Sequence, residues 1–101
     1  MARITQFDVI AEANTGQNGI ETAIEINPDI VLTDINLPDI DGFQVTRKIL
    51  HALPQTKVIV ISTDPSSVYL SEAIHAGAIG FIPKKQVSIE AIMKLCYPIR
   101  Y

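Results

Sequence analysis

Three apolar segments of the sequence each run into a residue whose side chain can do chemistry. The segment DIVLTD ends in Asp34, KVIVI runs into Ser62 and Thr63, and AIGFI is followed, after a proline, by Lys84. A carboxylate, a hydroxyl and an ammonium group would together suit phosphoryl transfer to an aspartate. The carboxylate attacks phosphorus while the hydroxyl and the cation stabilise the charge on the phosphoryl oxygens. Ser62 and Thr63 compete for the hydroxyl role.

Each of these residues taken singly has an ordinary explanation. An aspartate before a proline-containing loop is usually a turn or cap residue, and a serine or threonine after a strand often caps the next helix. Lys84 beside Lys85 reads as a solvated pair, which is the commonest fate of lysine. The prediction of chemistry therefore depends on whether the fold brings all three groups to one place.

The hydrophobic pattern alternates short strands with amphipathic helices. The predicted strands are Phe7–Ala13, Asp29–Asp34, Lys57–Ile61 and Ala78–Ile82, and the predicted helices are Gly16–Ile26, Gly42–Leu50, one that ends at Ala76, and Ser88–Cys96. Short links between such elements imply βαβ crossovers and a mostly parallel sheet. Since ligands of these open sheets bind beyond the carboxyl ends of the strands, we expect the three chemical groups to share one edge.

Helix boundaries are marked by residues of the expected types. Thr15 is a candidate N-cap, and Asn27-Pro28 should end the helix that it begins. Asp64 is predicted to cap the third helix, with Pro65 at its first position. Gly77 is predicted to supply a left-handed C-cap for that helix.

Composition limits the class of protein. The 101 residues suit one domain, and 48% of them are hydrophobic by type, so a sizeable core can form. The single cysteine excludes an internal disulfide, and the apolar runs are far shorter than a membrane span needs. A net charge of −3 with scattered Lys and Arg argues against a nucleic-acid surface. We expect a soluble, cytoplasmic α/β domain without a secretory signal.

Three segments together resemble the receiver domain of bacterial two-component response regulators. They are Asp34-Ile35-Asn36-Leu37-Pro38-Asp39-Ile40-Asp41-Gly42, Val58-Ile59-Val60-Ile61-Ser62 and Ala76-Gly77-Ala78-Ile79-Gly80-Phe81-Ile82-Pro83-Lys84. They are similar to the family's phosphoacceptor loop, fourth strand and fifth-strand block, in the family's order and spacing. The resemblance implies a flavodoxin-like, doubly wound parallel sheet in a three-layer α/β/α arrangement, with residues 1–101 as a single receiver domain. Pro83 before the lysine resembles receivers fused to helix-turn-helix transcription factors, which implies a role in transcription regulation.

The resemblance also implies a role for individual residues. Asp34 would accept a phosphoryl group from a sensor histidine kinase, Lys84 would pair with the phosphoryl oxygens, and Ser62 would turn its hydroxyl toward them. The backbone N–H groups of Asn36 and Thr63 would be further donors. Asp34 and the Asn36 backbone carbonyl would hold Mg²⁺. Such a chain is a phosphoacceptor that catalyses at most its own phosphorylation and dephosphorylation, and is not a conventional enzyme.

Phe81 falls at the family's aromatic switch position, where the resemblance implies that the ring moves inward together with the Ser62 hydroxyl. A plain core phenylalanine on an apolar strand is an equally good reading of Phe81. The positions directly after Ser62 and Lys84 differ from the family's usual pattern. Thr63 stands where a small residue is usual and could narrow the entry to the acceptor, and Lys85 stands where proline is frequent.

The largest departure from the family is at the N-terminus. Residues 1–6 read as the last turn of the first helix, so we expect the first strand, its acidic pair and most of the first helix to be missing. Mg²⁺ binding should then be weak or absent in this chain, because Asp34 is the one charged ligand left. The family's strand order is 2-1-3-4-5, so the missing first strand would lie next to the strand Asp29–Asp34. We therefore expect a gap in the sheet beside that strand.

The resemblance to receiver domains also implies where partners would bind. An output domain or partner protein would bind through about residues 66–96, and we expect no direct contact with nucleic acid or membrane. A homodimer is possible if another copy fills the gap in the sheet. Two other functions stay open: a receiver-like interaction module that works without phosphorylation, and, less favoured, a flavin- or nucleotide-binding domain. The glycines form no dinucleotide-binding motif, which disfavours the last of these.

Overall fold

The computed structural model describes residues 4–5, 8–9, 13–63 and 67–97. Its strands are β1 (Ile4–Thr5), β2 (Asp8–Val9), β3 (Ile30–Asp34), β4 (Lys57–Ser62) and β5 (Gly80–Pro83), and its helices are α1 (Gly16–Ile26), α2 (Gly42–Ala52), α3 (Ser67–Ala76) and α4 (Ile89–Cys96), with a 3₁₀ turn at Lys84–Gln86. The predicted alternation of strands and helices from Gly16 onward is confirmed.

The central feature is a parallel sheet in the order β3-β4-β5. These strands are rich in β-branched residues, which pack well on a pleated surface. Val31, Val58, Ile59 and Val60 are fully buried, as expected for a parallel sheet covered on both faces. Among the described residues β3 pairs with β4 alone, so its other edge has no described strand against it.

Helices cover both faces of this sheet. On one face, Ile20 of α1 and Val45 of α2 form a core cluster with Val31 and Val58, and α3 joins through a second cluster that includes Ala73. On the other face, α4 packs against the alternate strand residues, in a cluster of Ile30, Ile59, Ile82, Ile92 and Cys96. The result is the predicted three-layer α/β/α arrangement.

The predicted caps of α1 and α3 are confirmed where the structure describes them, whereas α2 ends at Ala52 and not at the predicted Leu50. Thr15 caps α1 by accepting a hydrogen bond from the Asn18 amide, and α1 ends at Ile26 with Asn27 as a C-cap in the left-handed conformation. α3 ends at Ala76 and is followed by Gly77 at a φ of 102°, a conformation that glycine adopts readily. Asp64 and Pro65 lie outside the described residues.

The N-terminal predictions need correction. We predicted the last turn of a helix over residues 1–6, but Ile4–Thr5 is a strand, antiparallel to Asp8–Val9. The predicted strand Phe7–Ala13 is described as a strand at Asp8–Val9, which pairs with β1 in a separate two-stranded sheet instead of joining the parallel one. Ile4 and Thr5 are β-branched and favour strands. Antiparallel pairing with a nearby segment needs no crossover, so it forms locally.

The buried sheet predicts a sharp difference between two isoleucines. Ile59→Ala on β4 removes a side chain with no exposed surface, and should lower the free energy of unfolding by about 2–5 kcal/mol because it leaves a cavity. Ile24→Ala on α1 removes a side chain that is 49% exposed and should cost far less. Denaturant unfolding of both variants checks this, and equal losses would contradict the assignment of Ile59 to the core.

Candidate functional site

The three predicted chemical groups line one cavity at the carboxyl edge of the sheet. Asp34 ends β3, Ser62 ends β4, and Lys84 follows the last residue of β5. The parallel register places Asp34 opposite Ile61 and Ser62 opposite Pro83, so the three strand ends are level. The cavity has a volume of about 150 Å³. Its lining consists of Asp34, Ile35, Asn36, Ile61, Ser62, Thr63 and Lys84.

The groups around this cavity differ in exposure. The Asp34 side chain is half-buried, whereas Asn36, Thr63 and Lys84 are exposed. Ser62 is only 5% exposed, because it is still part of the buried strand. A half-buried carboxylate beside an exposed ammonium group leaves the site open to an incoming anion. The arrangement therefore combines a nucleophile, a cation and the Thr63 hydroxyl within reach of solvent, with the buried Ser62 among the residues that line the cavity.

Both candidate hydroxyl residues reach the cavity, but their surroundings are unlike. Ser62 belongs to β4 and has the fixed backbone of a sheet residue. Thr63 follows the strand and is exposed at the mouth of the cavity. Thr63 also lines a second hollow with Pro83, Lys84, Lys85 and Gln86, next to the first one. The two positions thus offer a buried hydroxyl residue at the end of the strand and an exposed one directly after it.

Phe81 lies on β5 opposite Val60 and outside the lining of the cavity. Its half-buried ring packs against the cluster that contains Val60, Phe43 and Ala73. Tyr69 of α3 packs against the same cluster, and its ring centre is 6.3 Å from that of Phe43. Phe81 is therefore in contact with the core and partly open to solvent.

The loop from β3 to α2 is closed at its base by Gly42. The Gly42 N–H donates to the Ile35 carbonyl at 2.8 Å. A Cβ atom at Gly42 would overlap the backbone carbonyl of Asp34, so only glycine permits this close approach. Asp41 caps α2 by accepting a hydrogen bond from the Gln44 amide at 2.8 Å. These contacts fix the backbone where the loop leaves β3 and where it enters α2.

Sequence reasoning missed the role of Asp39 in the same loop. Its carboxylate accepts hydrogen bonds from the backbone N–H groups of Gly16 at 2.7 Å and Gln17 at 2.8 Å. These bonds join the loop to the first turn of α1. They hold the pKa of Asp39 below its ordinary value of 3.8, with Gln17 the larger contributor and Gly16 the next.

Oxygen donors suited to a hard cation are present at the cavity. Asp34 offers a carboxylate, and Asn36 offers a backbone carbonyl two residues later. Mg²⁺ is usually bound by one or two carboxylates together with phosphate oxygens and waters, so Asp34 could hold a Mg²⁺ ion only in a shell completed by a phosphoryl ligand and waters. The weak binding expected from the missing acidic pair stays a prediction. Among the residues that the structure describes, no three His, Cys, Asp or Glu side chains lie close enough together to hold a metal ion.

Comparisons with known proteins agree with this geometry. Residues 1–96 match the response regulator receiver domain family. The chain is 40% identical over 89 residues to the transcriptional regulatory protein LnrK of Bacillus subtilis (strain 168), covering 88% of this chain and 40% of that protein. It spans less than half the length of the curated relatives that it matches. The chain therefore belongs to the response regulator receiver domain family of two-component systems.

Solved structures place it within this fold family as well. A LuxR-family two-component response regulator from Aurantimonas sp. SI85-9A1 superposes with a TM-score of 0.79 at 29% identity, covering 90% of this chain and 69% of that one. A chain of the CheX-CheY-BeF3-Mg²⁺ complex from Borrelia burgdorferi superposes with a TM-score of 0.75 at 25% identity, covering 88% of this chain and 67% of that one. The predicted flavodoxin-like fold is confirmed. None of the helices in the described part of the chain is long and apolar enough to cross a membrane.

The close approach at Gly42 predicts a site-specific defect. Gly42→Ala forces backbone atoms of Asp34 and Ile35 to move, and overpacking of this kind costs about 1–3 kcal/mol of stability. We also expect the amide resonances of Ile35 and Asn36 to shift. Gly80→Ala is the matched control, because the three atoms nearest to its added Cβ all belong to the Leu95 side chain, which can move aside. Unchanged loop resonances in Gly42→Ala would contradict this reading.

The lowered pKa of Asp39 predicts a pH dependence of stability. The folded state binds the proton less readily than the unfolded state, so the contribution of Asp39 is complete above the ordinary value of 3.8 and is lost as pH falls through the lower folded value. The stability difference between wild type and Asp39→Asn should therefore shrink in acid. For Thr15→Ala, which removes an uncharged cap from the same helix, the difference should not follow this titration. Denaturant unfolding at a series of pH values measures both, and an Asp39→Asn difference unchanged well below pH 3.8 would contradict the assignment.

Proposed function

We propose that this chain is the phosphoacceptor of a two-component signalling system, with Asp34 as the residue that is phosphorylated. The observation that supports this most is the shared cavity of Asp34, Ser62 and Lys84 at the level ends of three parallel strands. Membership of the receiver family supports a phosphohistidine on a sensor kinase as the proposed phosphoryl donor. A carboxylate nucleophile alone would be weak support, whereas all three groups around one cavity match the needs of the transfer.

In the proposed reaction a carboxylate oxygen of Asp34 attacks the phosphorus of the phosphohistidine. A P–O bond forms while the P–N bond breaks, and the imidazole leaves with the bonding electron pair and takes up a proton. Catalysis is then mostly positioning and charge stabilisation, because phosphoryl transfer leaves little other covalent work for the protein. The product is an acyl phosphate on Asp34.

Each group around the cavity has a proposed part in that step. The Lys84 ammonium pairs with the phosphoryl oxygens, and the backbone N–H groups of Asn36 and Thr63 donate to them. Ser62 supplies the hydroxyl that turns toward the phosphoryl group. Asp34 and the Asn36 carbonyl would hold a Mg²⁺ ion, which when bound neutralises charge on the phosphoryl oxygens.

The proposed output is a change on the face formed by α3, β5 and α4. Phe81 lies half-buried opposite Val60, and Ser62 comes two residues after Val60 on the same face of the sheet, so we propose that the two side chains move together. An output domain or partner protein would bind to about residues 66–96. The curated relatives include transcriptional regulatory proteins, and we therefore propose transcription as the process controlled and the cytoplasm as the compartment.

Removal of the acceptor carboxylate tests the proposal. With radiolabelled acetyl phosphate and Mg²⁺, the intact protein should incorporate phosphate, and Asp34→Asn should lower the incorporation by at least about 100-fold because the amide is a poor nucleophile. Asp41→Asn is the matched control, since it removes a carboxylate from the same loop while asparagine still caps α2. The measurement is labelling under conditions in which each variant is folded.

Two outcomes would contradict the proposal. One is labelling of Asp34→Asn at the wild-type level, which would place the phosphate elsewhere. The other is a wild-type chain that stays unlabelled by acetyl phosphate and by a panel of sensor kinases, which would favour an interaction module that works without phosphorylation.

A further inference from the structure

The acceptor loop is joined at its tip to a helix that is distant in sequence. Asp39 uses both carboxylate oxygens, Oδ1 for the Gly16 N–H and Oδ2 for the Gln17 N–H, at separations of 23 and 22 residues. Thr15 already satisfies the next donor of the helix, the Asn18 N–H. The first three N–H groups of α1 are thus all satisfied by side chains, and the loop provides two of the three acceptors.

Two physical effects make this junction firm. Hydrogen bonds to an ionised carboxylate are stronger than neutral ones, and a negative charge is favourable at the N-terminus of a helix. Packing supports the same contact, because a Cβ atom at Gly16 would overlap side-chain atoms of Ile40 and Val45. The start of α1 therefore lies directly against the loop and against the first turns of α2.

The hydrogen bonds of Asp39 to α1 hold the loop between β3 and α2 at a second point. The loop leaves β3 at Asp34 and is closed at its base where the Gly42 N–H meets the Ile35 carbonyl. Asn36 lies between this base and the tip at Asp39, and it is exposed at the mouth of the cavity. With only its base held, the exposed part of the loop would be free to sample other conformations.

We infer that Asp39 is a positioning residue for the acceptor site: its two hydrogen bonds to α1 hold the loop so that the Asn36 backbone faces the cavity beside Asp34. This inference rests on the proposed function for its consequence, which is the rate of phosphorylation. The contact itself stands on the hydrogen bonds and the packing of Gly16. Asp39 acts through the loop and touches neither the phosphoryl group nor Asp34.

Two variants of the same helix start separate positioning from stability. Asp39→Ala removes both bonds between the loop and α1, whereas Thr15→Ala removes one cap from α1 and leaves the loop attached. Both should lower the melting temperature. Labelling by acetyl phosphate is measured on the full-length chain at a temperature where both variants are folded. The second-order rate constant of phosphorylation should fall at least about tenfold for Asp39→Ala, because small displacements of positioned groups cost large rate factors. Thr15→Ala should stay within about twofold of wild type.

A third variant, which keeps one of the two hydrogen bonds of Asp39, gives a graded test. Asp39→Asn keeps one acceptor oxygen but turns an NH₂ group toward the second N–H, so one of the two bonds is lost. Its labelling efficiency should fall between those of wild type and Asp39→Ala. The ¹⁵N–¹H resonances of Ile35 and Asn36 should shift and broaden in the same order, and should stay in place in Thr15→Ala.

The outcomes distinguish this inference from the proposed function. Wild-type efficiency and unmoved loop resonances in Asp39→Ala overturn the inference while the phosphoacceptor role stands. Equal losses in Asp39→Ala and Thr15→Ala also overturn it, because they would show a general effect of α1 stability. If Asp34→Asn is labelled as well as wild type, the proposed function fails, and the resonances of Ile35 and Asn36 still decide whether Asp39 holds the loop.

Discussion

The parallel pairing of β3 with β4 and of β4 with β5 is the constraint on which the candidate site depends. Parallel strands bring their carboxyl ends to one edge, and the register here makes those ends level within a residue. Asp34, Ser62 and Lys84 are separated by 28 and 22 positions in the sequence, yet they line one cavity because of that pairing. The buried Val and Ile residues of the strands, with helices on both faces, hold the register in place.

Rigidity at the acceptor comes from a small number of backbone contacts. Because Gly42 has no side chain, its backbone can lie close to the Asp34 carbonyl. Asp41, the residue before Gly42, is the N-cap of α2. Asp39 then ties the outer part of the loop to α1. A loop of this kind remains on the surface, where a partner can reach it, but loses the freedom that surface loops usually have. The proposed phosphoryl transfer, in which catalysis is mostly positioning, would require this combination of access and order.

The sequence predicts the main part of the site because its residues follow recognisable strands. Asp34 and Ser62 end continuous apolar runs, and Lys84 follows a third, so the periodicity of the chain alone places them at one sheet edge. The caps at Thr15 and Gly77 were predictable for a similar reason, since both residue types have strong local preferences. The resemblance to receivers added the roles of individual residues, which spacing alone could not assign.

Other features of the structure could not be predicted from the sequence. Asp39 bonds to backbone N–H groups, which every residue except proline carries, so neither Gly16 nor Gln17 marks the contact. The need for glycine at position 42 arises from a clash with the Asp34 carbonyl that exists only in the folded chain. The strand at Ile4–Thr5 was wrongly predicted as a helix end, because a two-residue strand is too short to have a period.

The central claim is that Asp34 is the phosphoacceptor, and locating the modified residue tests it most directly. The full-length chain would be treated with acetyl phosphate and Mg²⁺, the acyl phosphate reduced with borohydride, and the product mapped by peptide mass spectrometry. The account predicts that the modification occurs at Asp34 alone and that Asp39 and Asp41 in the same peptide stay unmodified. A phosphoryl group found on Ser62, Thr63 or another carboxylate, with Asp34 unmodified, would contradict it.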